Sequence, residues 1–354
     1  MNNIAKIQSS LSKAKVDAFM ITSEVNRMYA TGFDATDGLC FVTADKAWFF
    51  TDSRYIEAAE NTIKNAEIRE TSASYPYSRA VADLIAENKV ECLGFEEATM
   101  NVADYLVWSD KLSVKLIPSQ KIFTDLRMVK SREELDDMIK AQRIAEKSFN
   151  EILPLISTDI TEKELAAELM YRFLKNGAQD KSFDSIIVSG AHSSMPHGVP
   201  TDSKITKGFL TLDFGVKYNG WCSDTTRTVC IGKPTDEMRK VYDIVLRAQL
   251  AGIAAAKEGV TGKFVDGAAR DVIHEAGYAG RFGHGFGHGV GLEIHEAPTL
   301  NPSGERALPA GAVVSAEPGI YIPGQFGVRI EDVIYITENG CEDITNLPKD
   351  LLIL

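Results

Sequence analysis

Two aspartates in one predicted hairpin, Asp213 and Asp224, constrain this chain more than any other feature. They lie in residues 208–231, GFLTLDFGVKYNGWCSDTTRTVCI, which read as two strands rich in β-branched and aromatic residues. The strands are joined at Lys217-Tyr218-Asn219-Gly220, a turn-forming run. With Tyr218 and Asn219 as the turn, Lys217 faces Gly220 and Asp213 faces Asp224. Like charges placed opposite one another across two strands destabilise unless something positive lies between them. A divalent cation is the simplest candidate. The alternative is a pair of exposed acids on a hairpin edge, and the apolar flanking residues argue against it.

A second hairpin is predicted over residues 312–336, AVVSAEPGIYIPGQFGVRIEDVIYI. A turn centred on Gly324 sets Glu317 opposite Glu331, again one carboxylate from each strand, unless a bulge shifts the register. Two hairpins of one kind suggest two pseudo-symmetric halves. Between them runs GHGFGHGVGLEIHE, residues 283–296, too rich in glycine for a stable helix, so His284 and His288 are not the ligand pair of a helical zinc site. Four converging carboxylates carry four negative charges, which two divalent ions balance and one does not. Oxygen donors with one imidazole suit Mn2+ better than Zn2+, although Co2+ or Zn2+ could enter.

The rest of the chain fits such a site. Its 354 residues favour two domains. A net charge of −12 argues against nucleic acid or an anionic membrane as partner, and no apolar run is long enough to span a bilayer. The N-terminus lacks the apolar core of a signal peptide and reads as an amphipathic helix entering a strand. The five cysteines are scattered, without a CxxC pair, and read as reduced thiols of a cytoplasmic protein.

Residues 1–120 alternate between short apolar runs (Ala18–Thr22, Leu39–Val42, Ala47–Phe50, Cys92–Phe95, Val114–Ile117) and helical patterns near 54–64, 77–87 and 102–112, which predicts an α/β domain. Asp52 or Ser53 is the expected cap of the helix that follows them. The pattern changes near 121–130. Ser131 with Glu134, and Thr161 with Glu164, then mark capping boxes of two helices, the second ending at Asn176-Gly177. The first carries Leu135, Met138, Ile139, Ile144 and Phe149 as its apolar stripe. Two more helices, near 235–257 and 263–276, complete an α+β second half.

The motifs LDFG, SDTTRT, GHGVGLEIHE, AEPGIY and GVRIED, with MPHGVP upstream, resemble the pita-bread metallopeptidases, above all Xaa-Pro aminopeptidases (aminopeptidase P) and Xaa-Pro dipeptidases (prolidases). The resemblance implies an α+β pita-bread catalytic domain over residues 127–354 and an α/β creatinase-type N-terminal domain over residues 1–122. Carried over by motif, the metal ligands are Asp213, Asp224, His288, Glu317 and Glu331. His197 and His295 match histidines that bind substrate or stabilise the transition state, and His284 matches a position lining the substrate pocket. Glu317 doubles as acid and base on the attacking water. Arg329, on the strand face of Glu331, is expected to support the metal side and the bound substrate. Phe286 receives no role; His192 and His274 read as a loop residue and a helix-surface residue.

The implied substrates are peptides with proline second, and a homodimer is the expected assembly. No basic cluster other than Arg329 accompanies the motifs, and no long insertion walls off the far side of the cleft. That favours an aminopeptidase releasing the residue before proline. A dipeptidase confined to Xaa-Pro is the alternative, and a catalytically inactive binding protein on the same scaffold is the remote one.

Overall fold

Short apolar runs bounded by turn residues make the sheet of the first unit. In the computed structural model, which describes residues 3–354, the chain divides between Arg127 and Met128. The N-terminal unit holds a six-stranded mixed sheet in the order Glu67–Glu70, Ala47–Thr51, Leu39–Thr43, Ala18–Ile21, Cys92–Phe95, Lys115–Pro118. Every residue of its three central strands is buried, as expected of strands covered on both faces.

Two elements of this unit escape a reading by apolar runs. The edge strand Glu67–Glu70 is Glu-Ile-Arg-Glu and half-exposed. The helix Glu24–Thr31 is short, is capped by Ser23, and buries the polar Asn26 and Arg27. The expected cap at Asp52 or Ser53 is not made. The helix begins at Ile56 without a side-chain cap, because the Asp52 carboxylate turns to the backbone N–H and guanidinium of Arg54.

In the second unit both capping boxes form: Ser131 with Glu134 opens Arg132–Ile152, and Thr161 with Glu164 opens Glu162–Lys175. Each cap is worth about 1 kcal/mol. Leu135, Met138 and Phe149 are buried on the first helix together with Ala141 and Ala145, whereas Ile139 and Ile144 are half-buried. The other two long helices run Asp236–Ala255 and Gly262–Ile273. The strands pair antiparallel in several small sheets.

The first hairpin differs from the expected register. Tyr218 pairs with Trp221 and Lys217 with Cys222, so Asn219-Gly220 is the two-residue loop. Both its residues have positive φ, 48° and 79°, the backbone of a type I′ turn. Asp213 therefore pairs with Thr226, not with Asp224. Asp224 lies two residues before Thr226 and so keeps to the same face, diagonal to Asp213. In the second hairpin the expected register holds on both sides of the glutamates: Ala316 pairs with Asp332 and Gly319 with Arg329. Glu317 and Glu331 occupy matched positions between these two paired stretches.

Candidate active site

All nine residues singled out above line one cavity of about 490 Å3: Asp213, Asp224, His288, Glu317 and Glu331, with His197, His284, His295 and Arg329. The paired hairpins place the carboxylates, and the glycine-rich segment places His288. Gly287–Gly289 is a short strand pressed between two others. A Cβ on Gly287 would stand 2.0 Å from the Ser315 carbonyl oxygen, and one on Gly289 2.3 Å from that of Ala297. Only glycine on either side of His288 permits this approach. The Nδ1 of His288 donates to the Gly289 carbonyl at 3.1 Å. Its Nε2 is thereby turned to Glu317 at 3.2 Å and Asp224 at 3.7 Å, since a hydrogen bond at one ring nitrogen fixes the direction of the other.

The two hairpins also cross-brace one another. From the second, Arg329, only 3% exposed, sends its guanidinium to Asp213 at 2.5 Å, to Thr226 Oγ1 at 3.1 Å, to the Tyr321 hydroxyl at 2.8 Å and to the Pro196 carbonyl at 3.2 Å. From the first, the Thr226 hydroxyl donates to Glu331 Oε2 at 2.7 Å. Ser315 donates to Glu317 at 3.2 Å. His284 donates through Nδ1 to the Gly285 carbonyl and accepts from the Tyr321 hydroxyl at Nε2, each at 2.9 Å. Burial, before any other cause, lowers its affinity for a proton.

Packing this many carboxylates together is costly. Burial first, then neighbouring carboxylates, hold Asp224 and Glu331 well above the ordinary carboxylate range. Burial also raises Asp213, against the opposing charge of Arg329. Burial would raise Glu317 too, but the hydrogen bond and charge of His288 outweigh it and hold the carboxyl at about 2. His288, opposed by burial but facing Glu317 and Asp224, rises to about 9. Asp213 Oδ1 and Glu331 Oε1 are buried without a hydrogen-bond partner. Donor atoms of Asp224, His288 and Glu331 lie within 4.8 Å of one another. Orphaned oxygens, a compact donor set and carboxyls that gather protons for want of positive charge all fit divalent cations.

His197 and His295 face the cavity without a side-chain hydrogen bond among the described residues; the His295 ring stands edge-on to His288 at 4.4 Å. Burial, then the charge of His288, lowers the proton affinity of His295. Phe286 is wholly buried, its ring against Gly252, and belongs to the core. His274 is exposed at the end of its helix. His192 is not a free loop residue: it lies on a short 3-10 helix and its Nδ1 meets the buried Glu162 at 3.0 Å.

Sequence reasoning gave no role to Thr226, Tyr321 or Glu162. Thr226 was legible once Asn219-Gly220 is taken as the turn, and Tyr321 sits within AEPGIY. Glu162 carried no signal of its own; the helix start is read from Thr161 and Glu164.

Comparison with known proteins places this geometry. The pattern of Metallopeptidase family M24 matches residues 136–338, and that of the Creatinase/Prolidase N-terminal domain matches residues 3–129. The chain belongs to metallopeptidase family M24. It is a peptidase, hence a hydrolase, with a pita-bread catalytic fold that follows a creatinase-type domain in the chain, and membership of the family implies divalent metal ions. A curated relative, the Xaa-Pro dipeptidase of Pyrococcus furiosus, is 37% identical over 352 residues, covering 99% of each chain. Among solved structures, an Xaa-Pro dipeptidase from Bacillus anthracis is 40% identical with a TM-score of 0.96, covering 99% of each chain. The X-Pro aminopeptidase from Thermotoga maritima is 35% identical with a TM-score of 0.93, covering 98% of this chain and 100% of the other. No described helix of this M24 peptidase is long and apolar enough to cross a membrane.

Proposed function

We propose that this M24 peptidase is an Xaa-Pro dipeptidase that hydrolyses the bond before a C-terminal proline with two divalent ions, most suitably Mn2+. The observation that carries the reading is full-length similarity, at 40% identity, to an Xaa-Pro dipeptidase. It displaces the aminopeptidase favoured by sequence, which rested on the lack of a basic cluster. The ligands would be Asp213, Asp224, His288, Glu317 and Glu331; bound there, the metals supply Lewis-acid charge and lower the pKa of water. Glu317, steadied by Ser315, accepts the proton of the attacking water and returns one to the proline nitrogen as it leaves. His295 donates to the developing oxyanion, and His197 binds the substrate beside it. Arg329 holds Asp213 in place; four of its five N–H donors are already engaged. Phe183, Ile186, Pro200 and Ile294 offer an apolar wall for a proline ring. A homodimer working in the cytoplasm completes the proposal; the five cysteines are free, which suits a reducing compartment.

The aminopeptidase reading keeps one supporting observation: Arg329 is the only Lys or Arg lining the cavity among the described residues, which leaves no free side-chain cation for a proline carboxylate. The two readings separate on kcat/KM for Xaa-Pro and for the same dipeptide extended by one and by three residues. A dipeptidase loses about a hundredfold on extension, on the order of 2.7 kcal/mol of transition-state binding. Equal or faster turnover of the longer peptides moves the assignment to aminopeptidase.

A further inference from the structure

Among the buried charges outside the carboxylate cluster, Glu162 stands out. It is the first residue of the helix Glu162–Lys175 and is 1% exposed. The side-chain hydrogen bonds that its carboxylate accepts come from a single segment, residues 189–201. They are the Ser189 N–H at 2.8 Å and hydroxyl at 3.3 Å, the Thr201 N–H at 3.0 Å and hydroxyl at 2.8 Å, and His192 Nδ1 at 3.0 Å. The helix start supports the same grip, since the N–H groups of Glu162 and Lys163 donate to the carbonyls of Ser203 and Thr201. A carboxylate is well placed there, at the positive end of the helix dipole.

Between these anchors the chain forms the 3-10 helix Gly190–Ser194 and then projects Pro196–Pro200 into the cavity. At its tip, Gly198 N–H closes on the Met195 carbonyl at 3.1 Å, and His197 sits in that turn. Among the described residues the His197 ring makes no hydrogen bond of its own. Its position is therefore set by the backbone of this segment. His192 adds a strut from inside: an added Cβ on Gly198 would lie 3.1 Å from His192 Nε2.

We propose that Glu162 is a positioning residue for catalysis, a buried clasp whose carboxylate closes the base of the 189–201 segment, with His192, and so holds His197 where it meets the substrate. This inference rests on the proposed Xaa-Pro peptidase reading. Glu162→Gln keeps the shape but replaces one acceptor oxygen with an NH2 that faces N–H and O–H donors. Misplacing a catalytic group by about 1 Å can cost about a hundredfold in rate, so kcat/KM is expected to fall between tenfold and a hundredfold, with metal content at the wild-type level.

The deciding measurement is a double-mutant cycle. If Glu162 acts through His197, adding Glu162→Gln to His197→Ala costs less than about twofold, because effects carried by one shared group do not add. The same fold-loss in both backgrounds, or no loss in either, overturns the proposal. Hydrogen exchange read by mass spectrometry gives a readout free of activity: exchange should quicken in 189–201 and not in the strand carrying Asp213 or the strands flanking Glu331. Unchanged exchange in 189–201 also overturns it. If the wild-type protein cleaves no Xaa-Pro peptide, the functional reading fails, and the exchange result alone decides whether the clasp exists. Should Glu162→Gln not fold, Thr201→Val removes one donor and is judged by the same cycle, with a severalfold loss expected.

Discussion

In the hairpin of residues 208–231 the two aspartates lie on a diagonal, whereas in that of residues 313–336 the two glutamates occupy matched positions between paired strand segments. The partners differ as well. Asp213 is met by a buried guanidinium, Arg329, which belongs to the other hairpin. Glu331 is met by a neutral hydroxyl, Thr226, again from the other hairpin. Each hairpin thus completes its neighbour, and the carboxylate cluster forms only when both have folded and docked. On the proposed metal reading, Asp224 and Glu331, held well above the ordinary carboxylate range by burial and neighbouring carboxylates, depend on bound cations more than Asp213, which also has Arg329.

The largest expected effect comes from removing the cations from both hairpins at once. Dialysis against chelator should abolish turnover, a loss on the order of a thousandfold or more, since activation of water is the metals' contribution. It should also lower the thermal midpoint, because a ligand bound at a hundred times its Kd stabilises by about 2.7 kcal/mol. Mn2+ should restore both. His288→Ala should lose metal by elemental analysis, whereas His295→Ala should keep metal and lose turnover. Full activity in protein shown to be metal-free would sink the assignment.

Next in size is the brace itself. Arg329→Met leaves Asp213 buried and unpaired, and breaking a buried pair costs about 3–5 kcal/mol. Thr226→Val removes the hydroxyl that donates to Glu331 and accepts from Arg329 Nε; the second is a hydrogen bond to a charged group, worth about 1.5–3 kcal/mol. Both are read by denaturant unfolding of the metal-free protein, where no cation compensates. If the two variants cost the same, the guanidinium is not the stronger of the two braces.

Much of this was legible in the sequence, for identifiable reasons. Residues whose roles depend on strand face were found, since alternation survives a register error of two positions: Asp213 and Asp224 share a face in either register. Thr226, which depends on the direct cross-strand partner, is not, because a turn at Tyr218-Asn219 rather than at Asn219-Gly220 sets Asp224 opposite Asp213. The second hairpin came out in register because Pro323-Gly324-Gln325 centres its turn without ambiguity. Glu162 lay outside the reading altogether: its partners are backbone N–H groups and hydroxyls of a segment 27 to 39 residues away, and no local pattern encodes that. In the N-terminal unit the apolar strands were found and Glu67–Glu70 was missed, because that edge strand has one apolar residue.

A smaller effect should follow pH in the metal-free protein. His288 binds its proton up to about 9 in the folded state, against about 6.5 in the unfolded chain. Its contribution is therefore complete below about 6.5 and is lost as pH rises towards 9. Asp224 and Glu331, raised in the folded state, act in the same direction. Glu317 acts oppositely, losing its contribution as pH falls from about 4.5 to about 2. The midpoint of the metal-free protein should fall between pH 6.5 and 9, while the metal-loaded protein changes less, since a metal in the site displaces the proton of His288. Parallel curves for the two forms would remove His288 from the metal site.

The smallest effect separates the turns from the site they serve. Gly220 has φ 79° and its N–H donates to Gln179 Oε1 at 2.8 Å; Gly324 has φ 73° and open space around a would-be Cβ. An L side chain in this region costs about 1–2 kcal/mol, so Gly220→Ala and Gly324→Ala should each destabilise by about that much. The first hairpin has a competing register to fall into, the one centred on Tyr218-Asn219, but that would force Tyr218 to positive φ and break the pairing of Asp213 with Thr226. The type I′ loop should therefore persist under strain, leaving metal content unchanged and kcat/KM within about twofold of wild type. A Gly220→Ala protein that loses metal while Gly324→Ala keeps it would mean that the first hairpin slips, and that Asn219-Gly220 fixes the position of Asp213 and Asp224 as well as closing the turn.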